Sequence, residues 1–390
     1  GGGPTRDHLE YIRRLQDLEG APRVLITSPN DYFKDLQVRG VPPARYVGEL
    51  YFQAHRGTYT SQARTKRGNR KSELALREAE MWGSAAQALK GYAFPRAAID
   101  EAWKQVLLCQ FHDILPGSSI HRVYEEAEAA HREVIRTAGE VARAAAGVFA
   151  QGQGLTAFNS LSWERTALIA LPKGETRAFD AAGHTLPTQT IGDTTYAEVT
   201  LPSCGWAPVY LSDDRRVAAP SSPQPSPLQG ERAQHEPSSL RGEGRVRCSA
   251  TLLENELLRL ELNDLGEITR ILDKETGHEL AAGVCNSLKM YKDVPTAWDA
   301  WDLDSMYALT PVELPEKASI EVLAAGPLVA RLRVTRRLNR SQMVQEISLR
   351  RGSRRVDFAT TIDWQESHKL LKVNFPVNIH ANEAVHEIQF

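Results

Sequence analysis

The sequence predicts a multidomain α+β protein in which a short α/β segment is followed by a three-helix bundle and an antiparallel β-sandwich region. Three observations support this. The chain has 390 residues, enough for two to three domains of about 150 residues each. Apolar residues recur at helical spacing between 70 and 150, and short alternating runs follow from 155 onward. The predicted boundaries are 1–53, 54–150, 151–215 and 248–390, with an insertion at 216–247.

The first segment has α/β character. Leu9, Ile12 and Leu15 have the spacing of one helix face. The apolar run from Val24 to Ile26 is bounded by prolines, which is typical of a short buried strand. Pro29 at a first helical position predicts that a second helix follows.

Three helices are predicted for the next domain. Apolar residues at helical spacing run from Leu74 to Leu89 and again from Ile99 to Phe111. Pro95 breaks the first helix, and the second is expected to stop near Pro116. The serines at 118 and 119 offer a cap for a third helix that extends to about residue 148. Short connections between such helices indicate a bundle.

From residue 155 the pattern changes to short β-rich runs, such as 196–201 and 356–362, with turn residues between them. This pattern is typical of an antiparallel sandwich. Residues 220–244 differ, since 13 of the 25 are Pro, Ser or Gly. Such a stretch buries too little apolar surface to offset its ordering entropy, so we expect a disordered insertion with no function of its own.

Composition excludes several classes of partner. Lys plus Arg number 47 and Asp plus Glu 49, giving a formal charge of −2. Nucleic acids and anionic membranes attract an excess of basic residues, so neither is expected as a partner. We find no apolar stretch long enough for a membrane helix and no signal peptide. The four scattered cysteines form no CxxC motif, which favours a reducing, cytoplasmic location. The sequence is compatible with a homo-oligomer.

The two ends suggest that the chain is a piece of a longer protein. It begins with Gly1 rather than Met, and it stops within the alternating run 387–390. We interpret that run as an unfinished strand. The expectation is therefore a fragment truncated at both ends.

The densest cluster of chemically capable residues contains His112 and Asp113, expected at the C-terminal end of the second helix. A residue at that place can face a cleft between domains. Neutral imidazole is a common zinc ligand, and the adjacent carboxylate can accept hydrogen bonds from hydroxyl groups. The alternative is an ordinary capping or surface pair. His121 and His131 lie too far along the chain to be ligands at helical spacing.

A second segment, residues 48–62, combines three aromatic residues with His55, Arg56 and several hydroxyls. Sugar-binding sites use this mixture, because aromatic faces pack on C–H surfaces and polar groups bind hydroxyls. An ordinary interdomain loop would look similar. Basic residues follow, and we interpret them as a solvated approach to a helix: Arg64, Lys66, Arg67, Arg70 and Lys71.

A third segment, residues 293–304, has four carboxylates and two tryptophans within twelve residues. Two of the carboxylates could act as an acid and a nucleophile. A loop of the β domain that packs on its neighbour would have the same composition, and we favour this structural interpretation.

Several of these motifs together resemble one known family. Residues 110–119, from Gln110 to Ser119, resemble the His-Asp motif of glycoside hydrolase family 38, the α-mannosidases, and most closely its cytosolic and bacterial branch. Similar matches occur at 1–5, 55–62, 69–73, 298–302 and 370–376. The resemblance covers nearly the whole chain except 216–247.

The resemblance implies a fold and a mechanism. Members have an α/β catalytic domain, a three-helix middle domain and a C-terminal β-sandwich region. They hold one zinc ion with two histidines and two aspartates. They cleave terminal α-mannosides with retention, using an aspartate nucleophile and a second aspartate as acid/base. The expected substrate is therefore a mannose-containing oligosaccharide or a small mannoside.

Residue by residue, the resemblance gives His112 the role of a zinc ligand and Asp113 that of a contact to bound mannose. His55, Arg56 and Tyr59 match a segment near the substrate cleft. The other zinc ligands and the catalytic carboxylates match sequence that precedes Gly1, so no catalytic residue is assigned in this chain. We expect the fragment alone to be inactive and essentially zinc-free.

Two alternatives remain. The chain could be a non-catalytic carbohydrate-binding or assembly module with the helices as its scaffold. A phosphohydrolase that uses His112 and Asp113 would need further metal ligands on neighbouring helices, which the sequence does not supply.

Overall fold

The structure is a computed structural model that describes residues 3–40, 44–46, 53–150, 154–211 and 246–381. The chain forms two compact units, one made of Gly1–Tyr51 with Ala381–Phe390 and the other of Phe52–His380. The proposed disordered insertion lies outside the described residues except for its last two positions. The alternating run at the end of the chain also lies outside them.

The first unit contains the two predicted helices, α1 (Arg6–Leu15) and α2 (Pro29–Arg39). The side chain of Ser28 caps α2 by accepting a hydrogen bond from a backbone N–H, and proline occupies the first turn. The predicted buried strand at 24–26 is wrong. Leu25 and Ile26 are 82% and 73% exposed. A strand needs a hydrogen-bonded neighbour, and the described part of this unit provides none.

The second unit begins with a short 3₁₀ segment, Gln53–Tyr59. The three predicted helices follow as α3 (Ala63–Lys90), α4 (Arg96–Cys109) and α5 (His121–Gly147). Their apolar faces meet in a core built from all three helices: Leu76, Ala79, Ile99, Ala102, Val106, Val134, Ala138 and Val141. The helical bundle is confirmed.

Two helix ends differ from the prediction. Helix α4 ends at Cys109 rather than near Pro116. Residues 110–117 form tight turns instead, closed by backbone hydrogen bonds such as those from Ile114 and Leu115 to the Phe111 carbonyl. The predicted serine cap of α5 is also wrong, because Ile120 occupies the cap position without a side-chain hydrogen bond. The Ser119 hydroxyl instead donates to the carbonyl of Asp113, at 2.6 Å.

The rest of the second unit is made of short antiparallel strands. In chain order they are β1 (Leu155–Asn159), β2 (Arg165–Ala170), β3 (Thr188–Ile191), β4 (Thr194–Leu201), β5 (Gly205–Val209), β6 (Arg247–Ser249), β7 (Leu252–Glu254), β8 (Leu258–Leu262), β9 (Ile268–Asp273), β10 (Ser287–Lys292), β11 (Pro311–Val312), β12 (Ala318–Ala325), β13 (Val329–Leu338), β14 (Ser341–Arg350), β15 (Val356–Asp363) and β16 (Lys369–Asn374).

The strands form sheets whose orders are β1-β5, β2-β4-β3, β6-β7-β8-β9, β11-β10-β16 and β12-β13-β14-β15. One apolar core joins the sheet of β6 to β9 to the sheet of β12 to β15. Leu260 and Ile268 from the first sheet and Leu332 and Ile347 from the second are all buried in it. Alternation of buried and partly buried residues along β13 and β14 matches the inward-outward period of a sandwich strand. The antiparallel β-sandwich region is confirmed.

The small sheets of β1 to β5 are bound to both neighbours. The Gln189 side chain accepts hydrogen bonds from the N–H groups of Leu328 and Val329, each at 2.8 Å, and donates to the Val329 carbonyl. On the other side, the Arg77 guanidinium of α3 donates to the Ser160 carbonyl at 3.0 Å. These contacts hold the strands between the helical bundle and the sandwich.

Within the described ranges, no helix has the length and apolar character needed to cross a bilayer. All four cysteines fall inside those ranges, and each has a free thiol.

Candidate functional site

The predicted zinc ligand His112 and its neighbour Asp113 lie in a tight turn after α4, not within the helix. The turn is wound by backbone hydrogen bonds from Ile114 and Leu115 to the carbonyl of Phe111. The His112 side chain is 76% exposed and that of Asp113 47%, with 3.6 Å between Nε2 and Oδ2. Both side chains are therefore accessible to a ligand.

Side chains from α3 and α5 hold this turn in place. Gln110 donates from its amide to the side chains of Asn69 and Glu73 on α3, at 3.0 Å each. The buried hydroxyl of Tyr124 on α5 accepts the N–H of Ser119 at 2.6 Å. A turn fixed by both helices presents its exposed side chains in one orientation.

A third anchor is Lys66, in the first turn of α3. Its ammonium donates to the carbonyls of Leu115 at 2.7 Å, of Pro116 at 3.3 Å and of Ser61. The prediction that Lys66 is solvated is wrong, because the residue is half-buried. The other four basic residues of that group are exposed.

Sequence reasoning did not predict the burial of Lys66, because the spacing of apolar residues says nothing about whether a charged side chain is buried. Thr65, Ser72 and Ala79 are buried at seven-residue spacing and mark the inner face of α3. Lys66 follows Thr65 and is therefore about 100° around the helix from that face. The spacing of residue types does not identify it.

The segment from Gly57 to Ser61 contacts the third predicted segment. The N–H of Gly57 donates to the Trp301 carbonyl at 2.7 Å. The Ser61 hydroxyl donates to the Ala300 carbonyl at 2.7 Å. A Cβ at position 57 would lie 2.8 Å from the Asp302 carbonyl oxygen, so only glycine allows this approach.

Two of the predicted substrate residues join the same loop. The His55 ring packs against Trp301 with 4.6 Å between centroids. Arg56 pairs with Asp302 at 3.6 Å in a half-buried setting. The Tyr59 side chain is exposed.

Carboxylates of the 293–304 loop serve to fold it. Asp293 accepts the N–H of Asp304 at 2.8 Å, and Asp304 in turn accepts the N–H of Met306. Asp302 accepts the N–H of the next residue along the chain. These contacts favour the structural interpretation of the segment over an acid–nucleophile pair.

The segment from Gly57 to Ser61 also contacts the turn that carries His112. Gly117, with φ of +101°, lies so close to Ser61 that an added Cβ would be 2.6 Å from the Ser61 Cβ. Residues 57–61 thus contact both the turn that carries His112 and Asp113 and the 300–302 loop against which His55 and Arg56 pack. Their roles in binding substrate or metal stay predictions.

A cleft of about 950 Å³ opens beside this junction, between the helical bundle and the sandwich. Its lining includes Ser61 and Tyr124 on one side and Asp299, Trp364 and Gln365 on the other. His112 and Asp113 are not part of the lining.

His112 and Asp113 carry donor atoms suited to zinc, but the described residues do not complete a four-ligand site. No three His, Cys, Asp or Glu side chains come together there in a metal-binding arrangement. The four-ligand zinc site that the resemblance implies therefore does not fit the described residues alone.

Lys66 should make the stability of the chain depend on pH. Burial lowers the pKa of its ammonium from 10.5 to about 8. Between these values the unfolded chain keeps a proton that the folded chain has lost, so the free energy of unfolding should rise with pH. We expect this rise to be larger in the wild type than in Lys66→Met when urea unfolding is measured at about pH 7 and about pH 10.

The control for that measurement is Lys71→Met, at an exposed position of the same helix. It should show the same pH dependence as the wild type. A constant difference between wild type and Lys66→Met across this range would contradict the shifted pKa.

Comparison with known proteins identifies two of the domains. The description "Alpha mannosidase middle domain" matches residues 53–149. The description "Glycosyl hydrolases family 38 C-terminal domain" matches residues 253–390. The exact limits predicted for the domains stay predictions.

Relatives match along the entire chain. Human "Alpha-mannosidase 2C1" is 34% identical over 402 aligned residues and the mouse protein of that name 33% over 401. Each alignment takes in 100% of this chain and 35% of the relative, so the chain spans about a third of their length.

The fold of this chain also resembles a solved structure. The crystal structure of an α-mannosidase from Enterococcus faecalis V583 aligns with a TM-score of 0.63 and 16% identity, over 92% of this chain and 48% of that one. The two matching domain descriptions occur in the family's order, and both named relatives extend across them. The chain belongs to glycoside hydrolase family 38, of which it contains the middle domain and C-terminal domain.

Proposed function

We propose that this chain is the middle and C-terminal part of a zinc-dependent α-mannosidase that releases terminal α-mannose from oligosaccharides or small mannosides. The observation that carries the proposal is 34% identity to a named α-mannosidase along the whole chain. A cytoplasmic location belongs to the same proposal, and the four free thiols support it.

In this proposal the reaction follows the two-carboxylate scheme of retaining glycosidases. The nucleophile, the acid/base and the remaining zinc ligands come from a catalytic part that this chain lacks. Asp113, whose carboxylate is accessible, accepts hydrogen bonds from mannose hydroxyls. His112 supplies one zinc ligand, and His55, Arg56 and Tyr59 are assigned to the border of a substrate cleft that the catalytic part completes. None of these three residues lines the cleft beside the bundle.

The test compares the 390-residue chain with a longer protein that contains it together with a family 38 catalytic domain. The longer protein should hydrolyse an aryl α-mannoside with retention, followed by NMR of the released sugar. The chain alone should be inactive. Activity of the purified chain that survives Asp113→Asn would overturn the assignment of the catalytic groups.

A non-catalytic carbohydrate-binding module is the second candidate, and the cleft beside the bundle favours it. Trp364 is partly exposed there and lies among hydrogen-bonding side chains, as in many sugar sites. Calorimetry with mannose oligosaccharides decides between the candidates. Binding to the chain that is lost in Trp364→Ala, with no hydrolysis by the longer protein, would favour the module.

A further inference from the structure

We propose that Lys66 is a positioning residue for the mannosidase reaction, because it fixes the His112–Asp113 turn against residues 57–61. This inference rests on the proposed function. None of the three hydrogen bonds of Lys66 reaches His112 or Asp113; Leu115, the nearest acceptor along the chain, is three residues from His112.

The geometry of the ammonium supports a fixing role. A lysine ammonium has three N–H donors and no acceptor. The structure gives Lys66 three acceptors, all of them backbone carbonyls. Two belong to the turn, at Leu115 and Pro116, and one belongs to Ser61. The donors are thus fully used, and they join two segments that are separated by the whole of α3 and α4.

The two turn carbonyls have no other protein partner among the described residues, since no backbone N–H donates to Leu115 or Pro116 there. Both residues are only partly exposed. A carbonyl removed from water without a hydrogen bond is costly, so loss of the ammonium should make this turn rearrange. Lysine side chains cap the last carbonyls of helices in the same way.

A rearranged turn would move the two side chains that the proposed reaction needs. His112 precedes Leu115 by one turn of chain, and Asp113 accepts hydrogen bonds through its carbonyl from Ser119. Displacement of a reacting group by about 1 Å can reduce a rate by about 100-fold. Lys66 therefore acts on the reaction through the position of its neighbours and does not contact substrate.

The first experiment uses the 390-residue chain and does not depend on activity. Amide hydrogen exchange of Ile114, Leu115 and Gly117 is compared in the wild type, Lys66→Met and Lys66→Arg. Exchange in this turn should be about tenfold faster in Lys66→Met, which removes the donors. It should return close to the wild-type rate in Lys66→Arg, because a guanidinium can donate to several carbonyls.

Lys71→Met is the matched control, since it removes an exposed lysine from the same helix. In this variant the amides of Ile114, Leu115 and Gly117 should exchange at the wild-type rate. Lys66→Gln keeps two donors and serves if Lys66→Met fails to fold, with an intermediate rate expected. Wild-type exchange in Lys66→Met would overturn the proposal. So would acceleration spread evenly over α3, α4 and α5, because that pattern indicates general destabilisation.

The second experiment uses the longer protein. There, kcat for an aryl α-mannoside should fall at least about tenfold in Lys66→Met, with less change in KM, and recover in Lys66→Arg. A wild-type kcat in Lys66→Met would overturn the positioning role while leaving the proposed function intact. An inactive wild-type longer protein would instead overturn the proposed function, and the exchange data would still decide whether Lys66 holds the turn.

Discussion

Replacing His112 by alanine in the longer protein is expected to lower zinc content and mannosidase activity together, with zinc affinity and activity each reduced by at least about 100-fold. Removal of a group that merely orients a zinc ligand already costs about 10- to 100-fold in affinity or activity, and loss of a ligand costs more. Zinc is measured by atomic absorption after dialysis, and activity with an aryl α-mannoside. Unchanged zinc stoichiometry would rule out the ligand role.

The matched control is His184→Ala. His184 is 78% exposed, against 76% for His112, and each imidazole lies near one aspartate. Neither substitution should change the stability of the 390-residue chain by more than about 0.5 kcal/mol, as is usual for exposed positions. A difference between the two variants in zinc content therefore cannot come from unfolding.

Replacing Gly117 by alanine is expected to destabilise the helical bundle by about 2 to 4 kcal/mol. The new methyl group would lie 2.6 Å from the Ser61 Cβ and 2.9 Å from the Ser61 carbonyl oxygen, and φ at this position is +101°. Both the contact and the backbone conformation oppose a side chain. Urea unfolding of the 390-residue chain, followed by helical circular dichroism, measures the effect.

Gly174→Ala separates the two causes. Gly174 has a similar φ of +92°, but nothing lies within 4 Å of an added Cβ. Gly174→Ala should therefore lower the free energy of unfolding only by the cost of a side chain at positive φ, about 1 to 2 kcal/mol. Equal losses in the two variants would show that the close approach of Gly117 to Ser61 does not constrain the turn.

Local patterns in the sequence were sufficient where the structure depends on neighbouring residues. The break at Pro95 and the apolar spacing on each side of it placed α3 and α4. The short β-rich runs at 196–201 and 356–362 placed β4 and β15. The same reasoning failed for residues 24–26, because a short apolar run becomes a strand only if another strand pairs with it, and no local pattern reports on that partner.

At the candidate site, too, the sequence identified residues but did not predict the long-range contacts that hold them. The resemblance selected His112 and Asp113, but it did not show what holds their turn. The hydrogen bond between Ser61 and Ala300 joins residues 239 positions apart. The ammonium of Lys66 likewise donates to backbone carbonyls, which every type of residue has. Contacts of this kind depend on the folded backbone, so residue types and their spacing do not predict them.

The acceptors of Lys66 have a consequence for protein engineering. Because all three are main-chain oxygens, the side chain at position 115 can be exchanged without removing an acceptor. A library that varies Leu115 while retaining Lys66 would therefore keep all three acceptors of the ammonium in every variant. Changes of side chain at this position are thus separable from the contact that ties the turn to Ser61.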